Sequence, residues 1–124
     1  MTITAYILSG LIAAAIIVVG AWFLVAPRVA AAGYGVVPDL DQRSTGAYLS
    51  VKGVRDITSG LIVVVLIAAG ATHLLGSVLL AATVIPLADT AIVLTNGGSK
   101  GIAWGVHFAT AVVMVVTAAL LLVG

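Results

Sequence analysis

Apolar residues run almost unbroken through four stretches of this chain, and polar residues gather at the joints between them. A helix needs about 20 mainly apolar residues to cross a bilayer. Residues 3–26, 48–69, 74–95 and 101–123 each reach that length. Strands would need polar alternation and a closed barrel, so each run is expected to be a helix. Pro27 and Arg28 end the first run, "GATH" at 70–73 separates the second from the third, and "NGGSK" at 96–100 turns the third into the fourth. Short links make neighbours antiparallel. The expected fold is therefore all-α: one transmembrane domain over residues 1–124, an integral membrane four-helix bundle running up-down-up-down.

Composition agrees. Of 124 residues, 63% are hydrophobic and 7% charged, and the mean hydropathy is +1.34. A water-soluble domain of this length could not hide so much apolar surface. Cysteine is absent, which excludes disulfides, thiolate metal sites and thiol nucleophiles. A formal net charge of +1 and the lack of any matching motif point away from nucleic acid. The first run is longer than the roughly 7–15 residues of a signal-peptide core and has no Lys or Arg before it, so it reads as a span rather than a leader.

Charge sets an orientation. Arg28, Arg43, Lys52, Arg55 and Lys100 all lie in or near the first and third connections, and none lies near the second connection or either end. The positive-inside rule then places those two connections in the cytoplasm and both termini on the non-cytoplasmic side, in a plasma or inner membrane.

The stretch "YLSVKGVRDITSG" at 48–60 opens the second run with charges that are costly in hydrocarbon. Counting inward at the helical rise, Asp56 lies roughly 12 Å beyond Tyr48, Asp89 roughly 10 Å beyond Asn96, and His107 roughly 10 Å beyond Lys100. Three helices thus bring an ionisable group to nearly one depth. Gly46, Gly53 and Gly60 recur every seven residues as a small-residue seam, and Asp56 falls on it, with Lys52 one turn earlier as a partner. Pro86 should free the Ala82 carbonyl and kink the third helix near Asp89. His107 shares a face with Lys100, Ala103, Thr110, Met114 and Thr117, expected to look inward.

Carboxyl groups held in low dielectric titrate nearer neutrality than in water, which suits acid–base work on a lipid-like molecule. Asp56 and Asp89 are the candidate acid and base, with His107 as relay. Lys52 and Arg55 are candidate substrate-binding residues, joined by Trp22 and Trp104, which also fit the aromatic belt at the cytoplasmic interface. Neither a cofactor motif nor a metal-ligand spacing is present; Asp39 and Asp41 read as a solvated turn after Pro38. "GIAWG" at 101–105 is a GxxxG pattern suited to a homo-oligomer contact.

The patterns "KGVRDITSGL", "PLADTAIV" and "GVHF" resemble a family of small four-span membrane proteins catalogued only as a domain of unknown function, with Gly53, Arg55, Asp56, Gly60, Asp89 and His107 at the matching positions. The layout more loosely resembles DoxX-like four-helix membrane proteins. Either likeness implies a four-helix membrane bundle and supplies no activity. The expected function is an intramembrane polar pocket near the cytoplasmic side that binds, or acts by acid–base chemistry on, a hydrophobic small molecule, with membrane lipids as surroundings. The alternatives are a small proton-coupled transporter and a non-catalytic accessory or assembly protein.

Overall fold

The structure, a computed structural model, describes residues 2–124. It is all-helical, with no strand among the described residues. The described residues form five helices: α1 (Thr2–Val25), α2 (Pro27–Tyr34), α3 (Arg43–Ala68), α4 (Thr72–Thr95) and α5 (Lys100–Val123). Three of them, α1, α4 and α5, are long and apolar enough to cross a membrane. α3 has the length, at 26 residues, but carries Arg43, Lys52, Arg55 and Asp56 between its start and its middle.

The four long helices alternate in direction. Gly20 meets Gly53 and Ala13 meets Gly60, so α1 and α3 are antiparallel. Gly76 packs on Leu121 and Leu122, so α4 and α5 are antiparallel too. Tyr6 hydrogen-bonds Thr72, which puts the starts of α1 and α4 at the same end. At that end Ala5, Ala13, Val63, Leu75, Leu79, Met114, Ala118 and Leu121 form the apolar core. The outer surface is equally apolar: Ile3, Val25, Val65, Val84 and Val123 all stand exposed. Such a surface suits hydrocarbon, not water.

Three features depart from the sequence reading. First, the connection after α1 is not a plain loop. Pro27 has no N–H to waste at a helix start, and Gly35 (φ 107°) supplies the left-handed residue that ends one, so "PRVAAAGYG" folds as α2. Phe23, Ala30 and Ala31 are buried together with Val19, Tyr34 and Leu49 packed around them, which holds α2 against α1 and α3. α3 also starts at Arg43, five residues before position 48. Second, Gly46 is exposed with nothing near its missing Cβ, while Gly53 and Gly60 are buried in the seam. The reason is length. Gly53 lies opposite Gly20, so seven residues earlier the facing position falls beyond the end of α1 at Val25. Third, α5 widens into a π-helix over Ala103–Phe108. The wider turn shifts the face that follows, so Ala111 is buried where Thr110 was expected, and Thr110 is exposed.

Candidate functional site

Five polar side chains meet at the end of the bundle opposite the apolar core, each placed by a local rule. Asp56 lies between Gly53 and Gly60 on the face of α3 that presses on α1, and it is buried. Lys52, one turn before, reaches back so that Nζ donates to Asp56 Oδ2 at 2.8 Å. The ammonium also lies over the Phe23 ring, 4.7 Å from its centroid, and 5.5 Å from that of Tyr34. Cation–π attraction of this kind is worth about 0.5–2 kcal/mol.

On α4, Pro86 offers no N–H to the Ala82 carbonyl, and the regular helix breaks at Thr83. Thr83 Oγ1 donates to Leu79 O at 2.9 Å and Thr90 Oγ1 to Pro86 O at 2.8 Å, which occupy nearby carbonyls. The interruption falls at Thr83, three residues before Pro86 and six before Asp89.

Tyr34, the last residue of α2, ties three elements together. Its hydroxyl donates to Asp89 Oδ1 at 2.8 Å. Its backbone carbonyl accepts from His107 Nε2 at 2.7 Å, and its ring lies 4.8 Å from the imidazole. A carbonyl can only accept, so Nε2 carries the hydrogen, and Nδ1 is the nitrogen turned toward Asp89 Oδ2 at 3.9 Å. Burial, and then the Asp89 carboxylate it bonds, push the Tyr34 phenol well above the ordinary tyrosine range. It stays a donor. The following turn is fixed by Ser99 N–H donating to the Gly35 carbonyl at 3.0 Å.

These groups border an open cleft of about 480 Å³. Phe23, Leu49, Ile85 and Ile92 make its apolar walls; Tyr34, Lys52, Asp89 and Asn96 make its polar part. Of the residues singled out from sequence, Lys52 and Asp89 therefore line the cleft. Asp56 and His107 stand behind them, one bonded to Lys52 and the other facing Asp89. Arg55 is exposed and lines no part of the cleft; its backbone carbonyl accepts from the Ser59 hydroxyl. Trp22 and Trp104 are each 53% exposed and line no part of the cleft; Trp104 packs edge-on against Phe108. The geometry thus removes Arg55, Trp22 and Trp104 from the cleft: each is exposed and none lines it.

Tyr34, Asn96 and the apolar wall of Phe23, Leu49, Ile85 and Ile92 are site residues that sequence reasoning missed. The signal for Tyr34 was the Pro27-to-Gly35 frame of α2, which sets a tyrosine at the end of a short helix. Asp39 and Asp41 form a solvated turn, with Asp41 N–H donating to Asp39 Oδ1 at 3.1 Å. Among the described residues no three His, Cys, Asp or Glu side chains are grouped to hold a metal.

The chain belongs to the family described as "Domain of unknown function (DUF4267)", which matches residues 13–121. The likeness to DoxX-like proteins stays a likeness. No curated protein and no solved structure matches the chain.

Proposed function

We propose that this chain is an integral membrane protein of four spans, α1, α3, α4 and α5, whose cleft binds a hydrophobic small molecule and offers it an acid–base group. The observation that carries the reading is the convergence of Lys52, Tyr34 and Asp89 on one cleft with apolar walls. Ionisable residues at membrane depth normally pair and mark binding or proton pathways. The charges of the first and third connections favour this end of the bundle lying on the cytoplasmic side of a plasma or inner membrane.

Asp89 is the group a bound molecule would touch. His107 behind it is placed to take or return its proton, and Tyr34 keeps its carboxyl oriented. Asp56 instead neutralises Lys52. The facing of the Asp89 carboxylate and the His107 imidazole across 3.9 Å is the element that suits acid–base chemistry; a purely structural role would not need the adjoining cleft. Native mass spectrometry of protein released gently from its own membrane tests the reading. The expected result is a stoichiometric non-phospholipid mass that Asp89→Asn loses while keeping its helical circular dichroism. Bare protein, or the same phospholipids on both forms, would overturn it.

A further inference from the structure

The fixed charges around the cleft do not balance. Lys52 and Asp56 cancel one another across a 2.8 Å contact. Asp89 has no Lys or Arg partner among the described residues: its contacts are the neutral Tyr34 hydroxyl and the imidazole of His107. Arg28 pairs at the surface with Asp41, and Arg55 is exposed outside the cleft. α1 contributes the Phe23 ring and no titratable group to this region. With a neutral imidazole, one negative charge is left over in a low-dielectric setting.

The hydrogen-bond directions sharpen this imbalance. Because His107 Nε2–H is committed to the Tyr34 carbonyl, a neutral imidazole would turn the Nδ1 lone pair toward the Asp89 carboxylate 3.9 Å away. Lone pair would then face anion. A single proton carried by the pair turns that repulsion into attraction and cancels the leftover charge. Asp89 Oδ1 is taken by Tyr34, whereas Oδ2 has no hydrogen bond among the described residues, and Asp89 borders the cleft.

We infer that the cleft takes a hydrophobic ammonium ion, bound through Asp89 Oδ2 and exchanged for the proton carried by the Asp89–His107 pair. The inference rests on the cleft being a binding site. An ammonium group arriving as one proton leaves His107 for water keeps the local charge constant, so no uncompensated charge is buried at either stage. The alkyl or aryl part of such a molecule would lie along Phe23, Leu49, Ile85 and Ile92. An anionic amphiphile fares worse. Its natural partner, Lys52, is already engaged by Asp56, and its head group would meet the Asp89 carboxylate.

Calorimetric titration of the full chain in lipid nanodiscs with octylamine and with octanoate separates the possibilities. Empty nanodiscs give the partition background, and two buffers of different ionisation heat report protons released. The expected result is saturable octylammonium binding, at least about tenfold tighter than octanoate, with about one proton released per molecule bound. Because the comparison is made on the unaltered protein, it does not depend on any variant folding. Octanoate binding as tightly or tighter overturns the charge inference and leaves the cleft standing. Octylammonium binding without proton release overturns the exchange. Binding of neither probe above the empty-disc background overturns both the inference and the cleft as a binding site.

Discussion

Replacing Gly53 with alanine tests the helix crossing that supports one wall of the cleft. Within a helix, glycine is less favourable than alanine by roughly 0.5–1 kcal/mol, so an unobstructed exchange should stabilise. At Gly53 it is obstructed. The new Cβ would lie 2.7 Å from the Gly20 carbonyl oxygen, with Leu24 at 3.0 Å and Phe23 at 3.2 Å. Ordinary contact begins at 3.4 Å, so α1 and α3 must separate by about 0.7 Å, and the obstacle is backbone that cannot rotate aside. Overpacking of this kind costs roughly 1–3 kcal/mol. Net of the gain in helix propensity, a loss of up to about 2.5 kcal/mol is expected. Gly46 is the control on the same helix: nothing lies within 4 Å of its missing Cβ, so Gly46→Ala should be neutral or stabilising by up to about 1 kcal/mol. Denaturation of each form in detergent micelles by added dodecyl sulfate, followed by circular dichroism, gives both values. Because Phe23 and Lys52 border the cleft on either side of this crossing, Gly53→Ala should also weaken any cleft ligand, whereas Gly46→Ala should not. Gly53→Ala proving as stable as Gly46→Ala would refute the close crossing and the placement of the wall with it.

The Lys52–Asp56 pair should behave as a unit: Lys52→Met leaves a buried carboxylate and should destabilise toward the low end of about 3–5 kcal/mol, since Lys52 is one-third exposed. Lys52→Met with Asp56→Leu should recover most of that loss, and the same denaturation assay measures the recovery. Tyr34 holds its proton more tightly folded than unfolded, so its contribution to stability is intact below the ordinary tyrosine pKa of about 10 and is lost as pH rises past it. Alkaline destabilisation should therefore be shallower in Tyr34→Phe, which should also lack the most alkaline step of the phenolate absorbance titration. Gly35→Ala forces a Cβ onto a residue at φ 107° and within 3.0 Å of Val93, so it should cost at least about 1–2 kcal/mol and increase protease cleavage between α2 and α3. Arg55→Gln, on an exposed face, should change stability by no more than about 0.5 kcal/mol and leave ligand retention intact.

Much of this was legible in the sequence because hydrocarbon is an undemanding reader. Length and hydropathy alone mark α1, α4 and α5, and the bounds expected for the first and last runs differ from Thr2–Val25 and Lys100–Val123 by one residue at most. Helical rise placed Asp56, Asp89 and His107 at one depth, and spacing from Gly53 and Gly60 turned Asp56 inward. Those are one-dimensional quantities, fixed by residue order and the geometry of a single helix.

The rest depended on which helices touch. Gly53 and Gly46 look alike in the sequence, and only the end of α1 at Val25 makes one a crossing point and the other bare surface. Arg55 and Lys52 are both cations near Asp56, yet helical phase sends one to the cleft and the other away from it. Tyr34 lies in what read as a loop and became the hub of the site only when α2 folded back to meet Asp89 from α4 and His107 from α5. The sequence by itself determined the all-helical class, the apolar spans and the depth of the polar groups, because a helix in hydrocarbon satisfies its own backbone and declares itself locally. Tertiary structure alone decided which polar groups face one another, which are paired and which line the cleft, because those depend on ångström-scale distances between segments far apart in the chain.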